Sequence, residues 1–236
     1  MKLQPTVIYE DADLVVINKP VGMLVHRDDR IDEFTVADWM LENYPESKGV
    51  GEPLEVTGGK VIDRPGVVHR LDRETGGVMV LAKKQDAYEH LKAEFHDRKA
   101  QKEYRAVVYG EIKEDDGVID RPIARSKKDF RLWSAQRGGR GKQRDAVTEF
   151  EVIKRGLGWT YLKVFPKTGR THQIRVHMKA IHHPIILDSL YAPKHEAMLG
   201  FESLALFAHT ITLTIPSGDR KTFEVELPEV FASLDK

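Results

Sequence analysis

Cysteine is absent from the 236 residues of this chain, and so is any long apolar run. The missing thiols exclude disulfide bonds and a thiolate nucleophile, and they agree with an intracellular protein. No stretch reaches the roughly 18 consecutive apolar residues of a membrane-spanning helix, and the N-terminus has no signal-peptide pattern. We therefore expect a cytoplasmic protein without membrane contact.

An excess of charge of one sign is missing as well, because 37 Lys and Arg residues balance 37 Asp and Glu residues. A nucleic-acid partner would have to be bound by a local patch. The chain has neither a GxxxxGK[ST] loop nor a GxGxxG turn, so we expect no nucleotide cofactor. His172, His177, His182 and His183 lack the i, i+4 spacing of a helical ligand pair, so we expect no metal site, and we place His177 in the core.

The distribution of secondary-structure patterns predicts an α+β fold with a mixed, mostly antiparallel sheet. Runs rich in β-branched and aromatic residues predict strands at 6–10, 14–19, 77–84, 102–112, 145–155, 159–166, 204–216 and 222–227. Apolar residues at helical spacing predict helices at 35–44, 85–98, 171–182 and 228–236. We expect one domain over residues 1–236, with an irregular loop excursion at 45–66 that is rich in Pro and Gly.

A basic segment interrupts the overall neutrality of the chain. Residues 121–144 contain nine Lys or Arg residues and one acid, Asp129. This segment is either a solvated basic hairpin or a flap, partly mobile through its glycines, that grips the phosphates of RNA or DNA. A second basic set surrounds the sequence KTGRTHQIR, where a helix start offers backbone N–H groups to an anion. The residues we expect to contact nucleic acid here are Arg137, Arg140, Lys142, Arg144 and Arg170.

The stretch HRLDRETGG, residues 69–77, places one carboxylate, Asp72, among arginines and before a buried strand. Taken alone, it is most simply a turn aspartate in a surface salt bridge. The alternative is a catalytic acid that Arg70 and Arg73 keep ionised, in a loop that positions its side chain at a cleft.

Four motifs in order decide between these interpretations. HRLDRETGGVMVLAK resembles the active-site segment of the RluA-type pseudouridine synthases, and INKPVGMLVH resembles their N-terminal KPxGxxVH element. KEYRAVVYGEI is similar to the K-x-Y-x-A-x-V-x-G strand of this family. KTGRTHQIRVH and the following HPIILDSLY are similar to its TGRTHQIRVH and HPI-x-x-D-x-x-Y segments. The resemblance spans residues 17 to 191 and covers the catalytic domain, without the small RNA-binding domain often fused ahead of it.

The resemblance implies an isomerase that converts uridine in ribosomal or transfer RNA to pseudouridine without a cofactor. Asp72 would be the essential carboxylate, either as nucleophile or as base. Arg175 would hold it charged, and Tyr104 would stack on the base or help remove its proton. Arg70 would fill the space vacated by the extruded uridine, and Lys19 would support the loop or contact a phosphate. The implied fold is a sheet split by a central basic cleft, and the target a stem-loop bound by a monomer.

Three positions depart from the family pattern: Gly76 replaces its usual Ser, and Leu187 and Ala192 replace glycines. They bear on the loop before the strand and on the backbone after the helix. A non-catalytic RNA-binding or ribosome-assembly factor with the same fold is the main alternative function. A glycosidase is a more distant one, because it requires a second carboxylate near Asp72.

Overall fold

The computed structural model describes residues 2–27, 33–55, 59, 61–127, 129, 131–136 and 139–235. The chain divides into two compact units. The first comprises Met1–Gln101 and Thr210–Val225, and the second comprises Lys102–His209 and Glu226–Lys236. The prediction of a single domain, like that of a central basic cleft, stays a prediction.

The first unit contains a three-stranded antiparallel sheet in the order β1-β2-β5, with two helices. Its elements are β1 Thr6–Glu10, β2 Leu14–Lys19, α1 Val36–Asn43, a 3-10 turn Pro45–Ser47, β3 Leu54–Glu55, β4 Val61–Ile62, β5 Gly76–Ala82, α2 Gln85–His96 and β14 Arg220–Glu224. The short strands β3 and β4 pair with each other inside the predicted excursion at 45–66. The last residues of β13, Leu206–Thr214, form a hairpin with β14.

The core of the first unit forms around two strands that are apolar on both faces. All seven residues of β5 are buried, and Leu14 to Ile17 of β2 are fully inaccessible. Continuous apolar runs of this length are typical of strands covered on both faces. Helix α1 begins where the sequence predicts, because Thr35 and Asp38 form a reciprocal capping box. A rigid strand β5 therefore follows directly after the HRLDRETGG loop.

The second unit contains a four-stranded antiparallel sheet in the order β6-β12-β11-β7 and a separate three-stranded sheet, β10-β8-β9. Its elements are β6 Gln101–Tyr109, β7 Asp116–Asp120, β8 Ile123–Arg125, β9 Trp133–Ser134, β10 Arg140–Arg144, β11 Val147–Gly156, β12 Trp159–Pro166, α3 Gln173–Ala180 and α4 Glu229–Ala232. The α+β class with a mostly antiparallel sheet is confirmed. No helix in the described part of the chain is long and apolar enough to span a membrane.

Helix α3 is buried on nearly every side, and its predicted apolar stripe is confirmed for Ile174, His177 and Met178. His177 Nε2 lies 2.9 Å from the Arg121 carbonyl oxygen, which can only accept, so Nε2 carries the proton. Nδ1 then accepts from the Thr148 hydroxyl at 2.8 Å. Burial lowers the pKa of His177. The ring is therefore a neutral, hydrogen-bonded core histidine, as the sequence predicts.

Candidate active site

The loop that carries Asp72 is held at both ends within the first unit. At its start, His69 Nε2 accepts the backbone N–H of Val80 at 3.0 Å, and the His69 ring stacks on Phe95 with centroids 4.4 Å apart. At its end, the N–H of buried Thr75 donates to the Asp72 carbonyl at 3.1 Å and closes a turn into β5. The Asp72 side chain is half-buried. The loop is thus anchored to a buried strand and a helix, as a site that must hold one carboxylate in place requires.

Lys19 joins this loop to the turn that follows β2. The residue is fully buried, and its Nζ donates to the carbonyls of Pro20 at 3.0 Å, Met23 at 2.8 Å and Arg73 at 3.3 Å. Burial lowers its pKa to about 7, while the Asp72 charge opposes this shift and Arg73 adds to it. The ammonium is enclosed and bonded to carbonyls, so these contacts do not favour the predicted contact between Lys19 and an RNA phosphate, which stays a prediction. Its supporting role is the one that the contacts favour.

The two arginines that flank Asp72 have different environments and different partners. Arg73 donates to Glu33 at 2.9 Å and to the Gly22 carbonyl at 3.1 Å. Arg70 is exposed, with its Nη1 3.5 Å from Nε2 of His26. Sequence reasoning missed that Lys19 is a buried cation interacting with Asp72 in this unit, and its position at the end of an apolar strand was the available signal.

In the second unit, Tyr104 lies in β6 opposite Val164 of β12, and its side chain is half-buried. Lys102 lies two residues earlier on the same face of the strand. Burial lowers the pKa of Lys102 to about 8. Tyr104 therefore belongs to a surface with a desolvated cation, not to the apolar interior that a strand tyrosine usually enters.

Arg175 is held by a carboxylate to which the sequence analysis assigned no role. Its guanidinium is 2% exposed and donates through Nε and Nη2 to the two oxygens of Asp188, both at 2.8 Å. Asp188 Oδ1 also accepts the backbone N–H groups of Leu190 at 3.0 Å and Tyr191 at 2.9 Å. Such a bidentate pair sets the plane of the guanidinium. Asp188 is the Asp of the HPIILD segment, which was the signal in the sequence.

Two of the three family departures lie next to this pair. Leu187 adopts a left-handed conformation with φ of 56°, which explains why the family pattern has glycine there. Its N–H donates to the Tyr109 hydroxyl at 3.3 Å. Ala192 is buried, and its N–H donates to the Asp188 carbonyl at 2.8 Å. The third departure, Gly76, is the buried first residue of β5. Of the three departures, Leu187 therefore places backbone strain directly beside the carboxylate that pairs with Arg175.

Strands β8, β9 and β10 form what we call the basic sheet. Its residues Arg140, Lys142 and Arg144 are exposed, as expected of a nucleic-acid-binding surface, and Arg137 lies outside the described residues. The register places Arg140 directly opposite Arg125, and the Arg125 guanidinium lies 4.3 Å from the centre of the Trp133 ring. Like charges opposite each other in a sheet are unfavourable, and a bound anion relieves them. A cavity of about 550 Å³ beside this sheet is lined by Arg121, Pro122, Ala135, Gln136 and Gln143.

At the start of α3, one amide of the predicted anion site is already bonded within the chain, and the site stays a prediction. His172, which precedes the helix, is left-handed with φ of 54°, and Gln173 Oε1 accepts the Arg170 N–H at 3.0 Å. That amide is therefore not available to an anion. Arg170 instead donates from Nε to the Asp145 carbonyl at 3.0 Å. Among the residues described, no three His, Cys, Asp or Glu side chains are grouped as metal ligands would be.

Comparisons with known proteins agree with these features. A family described as RNA pseudouridylate synthase matches residues 13–180. An uncharacterized RNA pseudouridine synthase of Aquifex aeolicus is 39% identical over 97% of this chain and 71% of its own length. Ribosomal large subunit pseudouridine synthase D of Haemophilus influenzae is 34% identical over 97% of this chain and 69% of its own length.

Solved structures with the same fold include two human proteins. Human RNA pseudouridylate synthase domain containing 4 has a TM-score of 0.72 and 27% identity, covering 96% of this chain and 90% of its own. Human RNA pseudouridylate synthase domain containing 1 has a TM-score of 0.74 at 24% identity, covering 98% and 86%, which supports the fold alone.

Proposed function

We propose a mechanism and a target for this chain, which belongs to the RNA pseudouridylate synthase family and is therefore an isomerase acting on RNA. In the proposed reaction the bond between ribose C1′ and uracil N1 breaks, and the uracil rotates in the site. A bond from C1′ to C5 then forms, C5 loses its proton, and N1 gains one. Atoms and electrons balance within the nucleotide, so the reaction needs no cofactor.

Asp72 is the proposed essential carboxylate, as nucleophile at C1′ or as base on the sugar. The observation that carries this proposal is the HRLD loop itself, which matches the family motif and is anchored at both ends by His69 and Thr75. Arg175 is its proposed basic partner, supported by the match of QIRVH to the family segment and by the Asp188 pair that orients its guanidinium. Tyr104 is proposed to stack on the uracil, with Lys102 as a nearby cation on the same strand face.

Arg70 is proposed to occupy the space left by the extruded uridine. Extrusion costs a few kcal/mol of lost stacking, and a guanidinium that stacks on the neighbouring bases offsets part of it. The exposure of Arg70 at the start of the loop supports this role.

The proposed target is ribosomal RNA of the large subunit, because the relatives in Haemophilus influenzae and Borreliella burgdorferi are named for it. We propose that the chain acts as a cytoplasmic monomer on a compact stem-loop, whose phosphates Arg140, Lys142 and Arg144 contact. The exposed side chains of the basic sheet and the Arg125–Arg140 opposition support an anionic partner there.

The decisive experiment is substitution of Asp72 by Asn, which keeps the shape and removes the charge. Pseudouridine is mapped in a large-subunit rRNA transcript incubated with each protein. Asp72→Asn should form no product while retaining RNA affinity, and Asp219→Asn, in an exposed turn of the same unit, should behave like the wild type. Product at the normal rate from Asp72→Asn would remove Asp72 from the mechanism. No product from the wild type on any rRNA would favour the assembly-factor alternative.

The RNA-contacting role of the basic sheet has its own test. Replacing Arg140, Lys142 and Arg144 together by Gln should weaken RNA binding, because each phosphate contact contributes about 0.7–0.9 to the slope of log K against log salt. We therefore expect the slope to fall by about 2 in a filter-binding titration. The matched control replaces three exposed lysines of the first unit, Lys48, Lys84 and Lys99. Equal slopes for the two triple variants would support the alternative interpretation, in which the segment is a solvated hairpin that does not contact RNA.

A further inference from the structure

The hydroxyl of Tyr191 connects the basic sheet to the beginning of α3. It accepts the backbone N–H of Trp133, in β9, at 3.0 Å. It also lies 3.0 Å from Nδ1 of His172, the residue that precedes α3. The hydroxyl therefore holds two hydrogen bonds, one to β9 and one to the residue before α3. Tyr191 is 3% exposed, and both hydrogen bonds are partly buried.

The same residue adjoins the Arg175–Asp188 pair. The Tyr191 N–H donates to Asp188 Oδ1 at 2.9 Å, and the Tyr191 ring centre lies 5.4 Å from the Arg175 guanidinium carbon. An attraction between a cation and a ring face operates at this distance. Tyr191 also packs in one apolar cluster with Ile123 of β8, and Trp133 lies against this cluster. A displacement of β8 or β9 is therefore passed to the segment that fixes Arg175.

From these contacts we propose that Tyr191 is a positioning residue, which ties the orientation of the Arg175 guanidinium to the geometry of the basic sheet. RNA phosphates bound to the basic sheet reduce the repulsion between Arg125 and Arg140. The positions of the strands in this sheet then become fixed. Because Tyr191 contacts both β9 and Asp188, the fixed strand positions also fix the orientation of Asp188 and of the Arg175 guanidinium. The proposal rests on the proposed function, because it treats the basic sheet as an RNA contact and Arg175 as part of the reaction machinery.

Rigid coupling follows from the bonding pattern. The two oxygens of Asp188 hold two nitrogens of Arg175, so the guanidinium cannot rotate independently of the segment 188–191. Removing the Tyr191 hydroxyl leaves the ring and the apolar cluster in place and cuts the links to Trp133 and His172. The variant thus separates positioning from packing.

The kinetic test is Tyr191→Phe on the large-subunit rRNA transcript. We expect kcat to fall about three- to tenfold, which corresponds to about 0.7–1.4 kcal/mol of lost positioning, while KM and the RNA dissociation constant change less than about twofold. The matched control is Tyr9→Phe, whose hydroxyl bonds Asp11 and Lys221 in the first unit and which should leave both constants unchanged. A rise in KM with an unchanged kcat would overturn the proposal.

A double-variant cycle tests the route through Arg175. Arg175→Lys cannot form the bidentate pair, so Tyr191→Phe should have no further effect on kcat in that background. Independent, multiplying effects of the two substitutions would show that Tyr191 acts elsewhere, and the proposal would fall.

Hydrogen exchange gives a readout that does not depend on turnover. With RNA bound, the wild type should show slowed exchange at 133–134 and also at 173–180 and 188–192. In Tyr191→Phe the protection at 133–134 should stay, and the protection at 173–180 and 188–192 should fall at least twofold. Equal protection in both proteins would overturn the coupling. A wild type that binds RNA without forming pseudouridine would instead contradict the proposed function, and the exchange result would still decide the role of Tyr191.

Discussion

Replacing Asp188 by Asn should destabilise the protein far more than its single-atom change suggests. The Asp188 side chain is completely inaccessible, and the side chain of its partner Arg175 is 2% exposed. The introduced asparagine would still offer one oxygen, but its amide NH₂ group would face the N–H donors of either Arg175 or the backbone at Leu190 and Tyr191. The variant therefore removes a negative charge from beside a buried guanidinium and leaves at least one donor facing another donor.

The expected magnitude follows from the burial of the pair. Removing one partner of a buried ion pair costs about 3–5 kcal/mol, because the remaining charge stays in a medium that solvates it poorly. In a protein of this size, each kcal/mol lowers Tm by about 2–4 °C. The variant should therefore unfold about 6–20 °C below the wild type.

The assay is urea and thermal unfolding at neutral pH, followed by circular dichroism. The matched control is Glu149→Gln, which removes an acid from the exposed Lys167–Glu149 pair, with contact at 2.6 Å and side chains about half exposed. Exposed pairs contribute about 0–1 kcal/mol, so this variant should stay within about 4 °C of the wild type. If the two variants lose the same stability, burial does not determine the strength of the Asp188 pair, and the reasoning fails.

Two further predictions concern the first unit. Lys19 has a folded-state pKa of about 7, below the ordinary 10.5, so the unfolded chain binds more protons between these values. The free energy of unfolding of the wild type should therefore rise relative to that of Lys19→Met as the pH increases from about 7 to about 10. In urea titrations the rise should be at most roughly 1.4 kcal/mol per pH unit. A difference between the two proteins that does not change with pH would contradict the lowered pKa. Gly66→Ala should cost over about 2 kcal/mol, because the added Cβ would lie 2.1 Å from the Ala82 carbonyl oxygen at a φ of 67°. Gly218→Ala, at φ 93° with open space around it, should cost only about 1 kcal/mol in the same titrations, and equal losses would exclude the clash.

Elements with a strong local pattern were predictable. The apolar runs of β2 and β5 and the capping box of α1 appear where the sequence places them. Strand β10, Arg140–Arg144, was not predictable, since its residues are all exposed and charged or polar apart from one glycine. A strand without an apolar face lacks the alternation of apolar and polar residues by which strands are predicted. Its pairing with β8 therefore depends on tertiary structure. The sequence therefore indicated the charge of the segment correctly and offered a hairpin as one alternative, but it did not locate the strands.

In the candidate site, too, some features could be predicted from the sequence and others could not. The motif match identified Asp72, Tyr104 and Arg175 as the residues to examine, and their roles stay predictions. The enclosure of Lys19 and the partnership of Arg175 with Asp188 had only indirect signals in the sequence, because both depend on which charged side chains become buried. Composition favours charged residues at the surface, and a buried charge is recognised only when its hydrogen-bond partners are known.

Leu187 shows how a departure from a family pattern can be tolerated at such a place. A left-handed leucine costs about 1–2 kcal/mol relative to glycine. That cost is comparable to the stabilisation that the neighbouring contacts provide, since Asp188 accepts two backbone N–H groups in addition to pairing with Arg175. The strained φ persists because the segment 188–191 over-determines the backbone on its C-terminal side. The geometry of Arg175 therefore depends on the whole HPIILDSLY segment, whose backbone contacts hold Asp188 in place although Leu187 is left-handed.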